Sequence, residues 1–328
     1  MCKSNKLIAV LQVHDCTGYS EQSGSVPLST AVNYWIEIKN ALVGQEKYVF
    51  INIANEPFGN TATDNDWINE HSSAIKSLRK AGLKHLLVVD AANWGQDWKG
   101  ATKTSAQTVM NADTLKNTMM SIHMYDVYKD DATVNTYMKA FADKHLPLMV
   151  GEFASTHGTN KPVAAQAIFD RAKQYGVGYI GWSWCGNSPA ELAPLDISRS
   201  CNSTSLSTWG NLLVNGANGI KATSILASVY TGNIIQPTPA LRRDMEISTR
   251  KMKMSIKGSC IRLFFPESLR ENVIIALYNL NGRCIRCCNP VYSSSHFEID
   301  GKGLPNGSYV IQIRNNTTMA QAPLTLVK

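Results

Sequence analysis

The sequence predicts an α/β fold with parallel strands, followed by a small all-β module. Three observations predict it. From residue 7 to about 228, short apolar strand-like runs alternate with segments of helical spacing, the pattern of parallel strands joined by helical crossovers. Around residues 230–244 this gives way to a polar stretch punctuated by Pro237 and Pro239. Beyond it come short β-type runs separated by turn signals such as Leu304-Pro-Asn-Gly-Ser. The expected organisation is a catalytic-type α/β domain over 1–229, a linker over 230–244 and a basic β-sandwich-like module over 245–328.

Six strands are expected in the first domain: Leu7 to Val13, Tyr48 to Ala54, His85 to Asp90, Thr118 to His123, Leu146 to Gly151 and Gly178 to Ser183. Each is a short, mostly apolar run. Helices are expected between them at Ser29 to Val43, Asp64 to Ala81, Ala132 to Lys144 and Lys161 to Tyr175, where apolar residues recur near every third or fourth position. Asp64 and Asp66 favour a helix start, and Gly82 and Gly176 favour stops. A final helix around Gly219 to Val229 closes the unit. In the module, strands are expected at Met252 to Ile256, Cys260 to Phe265, Val273 to Tyr278, His296 to Ile299 and Ser308 to Arg314.

Composition narrows the function classes. The net charge of +7 lies wholly in the tail: residues 1–240 carry 19 basic and 19 acidic side chains, and those from 241 onward carry 13 and 6. The tail has no nucleic-acid motif and only scattered aromatics, so nucleic acid is not the expected partner. No apolar run reaches the length of a membrane span, and Met1-Cys-Lys-Ser-Asn-Lys lacks the pattern of a signal peptide. Cys284, Cys287 and Cys288 form a loose CxxCC without a second ligand pair, and no phosphate loop or nucleotide motif occurs. No metal or cofactor is therefore expected. Cys185 and Cys201 flank one loop, either as a disulfide or as two free thiols.

The chemistry is expected at strand ends. Glu56 closes Tyr48-Val-Phe-Ile-Asn-Ile-Ala-Asn-Glu, and Glu152 closes Pro147-Leu-Met-Val-Gly-Glu. A buried strand leading into a carboxylate places that group at the strand's carboxyl end, where α/β barrels carry out their chemistry. Other strand ends carry His14, Asn55, His123, Tyr125 and Trp182, groups that converge on one rim if the strands form a barrel.

These motifs resemble glycoside hydrolase family 5, most closely its bacterial endo-β-1,4-mannanase branch. The resemblance rests on Gln12-Val-His-Asp-Cys-Thr-Gly-Tyr, Ile51-Asn-Ile-Ala-Asn-Glu-Pro-Phe-Gly, Asp90-Ala-Ala-Asn-Trp-Gly-Gln-Asp, Ser121-Ile-His-Met-Tyr, Gly151-Glu-Phe-Ala and Gly181-Trp-Ser-Trp-Cys-Gly-Asn, in order over about residues 1–225. It implies a (β/α)8 TIM barrel, a polysaccharide substrate and retaining cleavage of β-1,4-mannan. A β-1,4-glucanase is the alternative within the same family. Residue by residue, the resemblance makes Glu56 the acid/base, Glu152 the nucleophile and Asn55 the partner of the sugar 2-hydroxyl. It makes His14 and His123 site histidines, Tyr125 the donor to the nucleophile, and Trp182 and Trp94 sugar platforms. Trp35, Trp67 and Trp209 read as packing residues.

Two departures accompany the resemblance. It begins at the family's third barrel strand, and no residue can be assigned to the second-strand arginine that contacts the nucleophile. The expectation is an amino-terminally truncated (β/α)8 barrel lacking its first two βα units, of low activity and solubility, or a non-catalytic polysaccharide-binding remnant. The end of the tail, Leu304-Pro-Asn-Gly-Ser-Tyr-Val-Ile-Gln-Ile, resembles small β sorting domains that direct export, or basic terminal modules of fibrolytic enzymes. It implies a secreted or cell-surface full-length protein whose tail engages export machinery.

Overall fold

The computed structural model describes residues 1–201 and 205–231, then 253–257, 260–264, 274–279, 284–288, 297–300, 302–314 and 319–326. It divides into two compact units, Met1–Gln236 and Pro237–Lys328. The linker expected over 230–244 lies, from residue 232 onward, outside the described residues.

The first unit is built on six parallel strands in chain order: β1 (Ala9–Gln12), β2 (Val49–Asn52), β3 (Leu86–Asp90), β4 (Thr118–Met124), β5 (Leu148–Phe153) and β6 (Gly178–Tyr179). Every neighbouring pair is parallel, with a helical crossover between each, so the unit is part of a (β/α)8 barrel. Strands β1, β2, β3 and β6 are shorter than their apolar runs, while β4 extends one residue further and β5 is shifted two residues toward the carboxyl rim, to Phe153.

Helix α1 (Leu28–Glu37) buries Leu28, Ala31, Val32 and Trp35, one stripe at spacings of three and four. A short turn of helix, α2 (Lys39–Leu42), follows it. Helix α3 (Asp64–Lys80) starts at Asp64, as expected. Thr63 is its cap, accepting from the Asp66 amide while Asp66 accepts from the Thr63 amide, a reciprocal capping box. The sequence pattern passes over α4 (Ala101–Asn111), which begins behind Gly100 and takes its cap from Asp97. Helix α5 (Asp131–Asp143) is capped by Asp130, and α6 (Ala165–Tyr175) ends at Gly176 with φ +69°. α7 (Thr208–Asn215) was also not expected. The single closing helix expected over Gly219 to Val229 is instead two short ones, α8 (Ile220–Thr223) and α9 (Ser228–Thr231), with extended backbone at Ser224 between them.

Trp35, Trp67 and Trp209 are buried, as their packing role requires, and each also donates its indole N–H to a strand-end carbonyl: Ile53, Asp90 and Trp182 respectively. They thus tie the helical layer to the rim that carries the site.

The second unit has two antiparallel sheets. One orders β10 (Cys284–Cys288), β9 (Ile274–Asn279), β12 (Gly307–Arg314) and β13 (Met319–Leu326). The other orders β11 (Phe297–Asp300), β8 (Cys260–Phe264) and β7 (Lys253–Lys257). Ile261 and Leu263, Ile275 and Leu277, and Tyr309 and Ile311 alternate inward into one small core. The side chains of Cys284, Cys287 and Cys288 lie outside the described residues.

Candidate active site

The chain leaves β2 through buried Ile53 and Ala54 and presents Asn55 and Glu56 at the rim. Glu56 has φ +38°, and its amide donates to Asp90 Oδ2 at 3.1 Å, which fixes the turn that aims its carboxylate. Glu152 arrives by a different device. The β4–β5 register shifts between Ile122 and His123: Ile122 faces Val150, but His123 faces Glu152. Gly151 is the extra residue of this bulge, and a bulge re-aims the side chain beside it. A Cβ on Gly151 would lie 2.1 Å from Ser121 Oγ and 3.2 Å from His123 Nε2, so only glycine leaves room.

His123 is the hub. Its Nδ1 is 2.5 Å from Glu56 Oε1 and 3.6 Å from Glu152 Oε2, while Nε2 stands 3.3 Å from Asp90 Oδ2. Gly95, with φ +67°, closes on the other side of the ring, where a Cβ would come within 2.7 Å of it. One ligand-type atom each of Glu56, His123 and Glu152 lies within 4.8 Å of the others. Such a trio has the donor types of a metal site, but the shortest contact in it is a proton-sharing one between His123 and Glu56. Tyr125 Oη donates to Glu152 Oε2 at 2.7 Å, and its ring stacks on His157 at 4.4 Å.

The electrostatics follow from three carboxylates around one imidazole in a largely water-free place. Burial alone would make His123 neutral, but the charges of Glu152 and Asp90 outweigh it and raise its pKa well above the ordinary value. Burial would likewise raise Asp90. His123 and the donors Glu56 N and Asn52 Nδ2 hold it below the usual carboxylate range. At Glu152 burial wins: desolvation and the nearby Glu56 push its carboxyl up to about 7, against the pull of His123 and Tyr125. The family pattern assigns the neutral-pH proton to Glu56, whereas the carboxyl raised here is that of Glu152.

Around this centre lies a cavity of about 390 Å³. Of the residues picked from sequence, His14, Asn55, Glu56, Trp94, Tyr125, Glu152 and Trp182 line it, and His123 sits buried beneath. Trp182, joined to Ser183 by a cis peptide bond, stacks parallel to His14 with centroids 5.8 Å apart and donates to Asn187 Oδ1. Asn55 is held between Gln12 and Thr17 by two side-chain hydrogen bonds. Trp94 packs over Gly18 and donates to Glu21.

The sequence reading missed Thr17, Gln96, His157 and Asn187 in the cavity wall, and Asp90 beneath it. Asp90 was visible as the polar end of an apolar strand. The others sit in loops with no periodic signal. Cys185 and Cys201 form a disulfide that ties the Trp182–Asn187 segment to the returning loop, which settles the alternative left open by their spacing.

A partial (β/α)8 barrel with two strand-end glutamates converging in one cleft defines a glycoside-hydrolase type of protein, and residues 1–188 match the model of Cellulase (glycosyl hydrolase family 5). The chain belongs to that family. It is 53% identical over 231 residues to the mannan endo-1,4-beta-mannosidase of Cellvibrio japonicus, and 47% identical over 232 residues to that of Streptomyces lividans. The matched part is 70% of this chain in both cases, but only 53% and 60% of those two proteins. Among solved structures, the mannohexaose complex of Thermomonospora fusca beta-mannanase is similar at 46% identity and a TM-score of 0.66, covering 70% of this chain and 75% of that one. Beta-mannanase from Streptomyces thermolilacinus with mannohexaose is similar at 40% identity and a TM-score of 0.67, covering 71% and 76%. Residues 259–325 match the model of a secretion system C-terminal sorting domain. Among the described residues, no helix is long and apolar enough to cross a membrane.

Proposed function

We propose that the protein is a retaining, endo-acting hydrolase of β-1,4-mannan backbones. The observation that carries the reading is the approach of the Glu56 and Glu152 carboxylates, with oxygens inside 4.8 Å of each other across one cleft. Retaining enzymes hold their carboxyl groups about 5–5.5 Å apart, too close for an attacking water between them. Glu152 attacks the anomeric carbon, Glu56 gives its proton to the departing glycosidic oxygen, and the glycosyl–Glu152 ester then yields to a water activated by Glu56. Tyr125 holds Glu152 in line, and His123 orients Glu56. Asn55 meets the 2-hydroxyl, while Trp182 and Trp94 offer flat apolar faces to the pyranose rings.

The mannan assignment draws on the two mannosidase relatives and the two mannohexaose-bound structures named above. A β-1,4-glucan substrate is the second reading, favoured by a 46% identical relative from Caldicellulosiruptor saccharolyticus named "Beta-mannanase/endoglucanase A". The tail directs the protein to a secretion system and so to the cell surface or beyond it. Reducing-end release from mannan and from carboxymethylcellulose, by the wild type, Glu56→Gln and Glu152→Gln, tests the assignment. Release from mannan that is lost in both variants, with retention of anomeric configuration in the product, is expected. Full activity in Glu152→Gln would overturn it.

A further inference from the structure

A second cavity, of about 300 Å³, lies beside the first on the same rim, and nothing in the proposed chemistry uses it. Its walls include Trp98, Lys103, Val127, Tyr128, Thr133 and Thr136. The two cavities share a partition made by the same two loops. After β3, Trp94 and Gln96 face the cleft while Asp97 and Trp98 face the second cavity. After β4, Tyr125 faces the cleft, and Val127 and Tyr128 face the second cavity. The partition is knit together by Tyr128 Oη donating to the Gln96 carbonyl at 2.9 Å and by the Val127 amide reaching Gln96 Oε1 at 3.4 Å.

Trp98 stands out in this wall. It is 56% exposed, the most exposed tryptophan among the described residues, yet its orientation is fixed. Its indole N–H donates to Asn60 Oδ1 at 2.8 Å, and Lys99 Nζ, itself held by the Asn60 carbonyl, sits 5.1 Å from the ring centroid. The backbone on which it sits is a tight loop with positive φ at Asn93, Trp94, Gly95 and Asp97. Asp97 locks that loop to α4 and α5, accepting from the amides of Thr102 and Lys103 and from Tyr137 Oη. An exposed ring held this firmly costs little further ordering when something flat and apolar stacks on it.

We propose that Trp98 and the adjoining cavity form an outlying saccharide subsite that continues the catalytic cleft over the Gln96–Asp97 partition. This rests on the reading of the cleft as a polysaccharide site. An endo-acting cleft takes a chain longer than itself, and the loop that presents Trp94 to the cleft presents Trp98 to the second cavity four residues on. The ligand is a neutral β-1,4-linked hexosan: the indole takes the C–H face of a pyranose, and the Lys103 ammonium with the Thr133 and Thr136 hydroxyls supplies hydrogen-bonding partners for sugar hydroxyls.

The test is titration calorimetry of the full chain in the Glu152→Gln background, which removes turnover, with manno-oligosaccharides of two and six units and with the corresponding cello-oligosaccharides. Trp98→Ala should weaken hexasaccharide binding about tenfold, the order expected for one lost aromatic platform, and disaccharide binding less than twofold. Trp98→Phe, which keeps a smaller flat ring and loses the bond to Asn60, should recover part of the hexasaccharide affinity. Equal affinity of Trp98→Ala and its parent for the hexasaccharide overturns the proposal. So does an equal loss at both lengths, which marks collapse of the partition and not a subsite. Binding of the cello series alone overturns the mannan reading, while the Trp98 comparison is still read on that series.

Discussion

Removing one hydroxyl should move the acid limb of the pH profile. Tyr125 Oη donates to Glu152 Oε2 at 2.7 Å in a place where Tyr125 is 5% exposed and Glu152 is 8% exposed. A hydrogen bond to a buried carboxylate favours its charged form by about 1.5–3 kcal/mol. One pKa unit corresponds to about 1.4 kcal/mol, so Tyr125→Phe should raise the Glu152 carboxyl by about 1–2 units. Its starting point is already about 7. A nucleophile must be ionised, so wild-type kcat/KM on mannan should climb through about pH 7, and the variant's through about pH 8–9.

The rate deficit should therefore depend on pH, about 10–100-fold near pH 6 and no more than a few-fold near pH 9. Phenylalanine retains the ring that stacks on His157, so packing is preserved and the hydroxyl alone is tested. Initial rates of reducing-end release across pH 5–10 measure the effect. An acid limb at the same pH in both proteins, or a deficit of equal size at every pH, would refute the assignment of that limb to Glu152.

Glu152→Gln should stabilise the fold at high pH. The folded-state pKa of Glu152 is raised from 4.5 to about 7, so its ionisation opposes folding: there is no cost below about pH 4.5, a growing one up to 7, and a constant one above. The variant's advantage should rise from near zero at pH 4.5 to about 3 kcal/mol at pH 8, read by urea denaturation; a pH-independent difference would contradict this. Gly151→Ala should cost about 1–3 kcal/mol and most of the activity, because its Cβ would meet Ser121 Oγ and crowd His123. Thermal melts and mannan assays together check it. Cys201→Ser, which opens the Cys185–Cys201 loop, should cost up to about 3 kcal/mol. It should also alter the fluorescence of Trp184, whose indole donates to the Cys201 carbonyl. Arg79→Ala should cost about 3 kcal/mol in thermal or urea melts, since it removes the cation that grips the buried Asp113 carboxylate with two nitrogens and leaves it only the neutral donors Leu115 N, Asn117 N and Thr118 Oγ1.

Strand order and the convergence of the strand-end residues were legible because each functional residue directly follows an apolar run. The period-2 and period-3.6 patterns that mark the elements also mark where they stop. Helix α4 was not legible. Its Thr-rich sequence has weak apolar periodicity, and its cap, Asp97, lies outside the helix in a loop whose turn depends on successive left-handed residues. Strand β13 was hidden by Pro323, which an edge strand tolerates and a central strand does not; β13 lies at the edge of its sheet. Strand β10 carries three cysteines and two other residues, too few apolar positions to read as alternation. The bulge at Gly151 has no sequence signature beyond the glycine itself, yet it decides that Glu152 faces His123.

That bulge explains why the site keeps a proton near neutral pH. Regular pairing would place the strand's alternate side chains on opposite faces, and Glu152 would lose its approach to His123. With the extra residue, Asp90, Glu56 and Glu152 all face one imidazolium. Three carboxylates around a single cation, with little water to screen them, cannot all ionise without cost, and the cost falls on the one in which burial prevails over its partners. Asp90 has two neutral donors besides His123, and Glu152 has one, Tyr125. Below about pH 7 a proton therefore rests on Glu152 in the free protein. For the proposed chemistry Glu152 must give that proton up before it attacks, while Glu56 supplies the proton that the glycosidic oxygen takes. Ionisation of Glu152, near pH 7, is then what switches the nucleophile on.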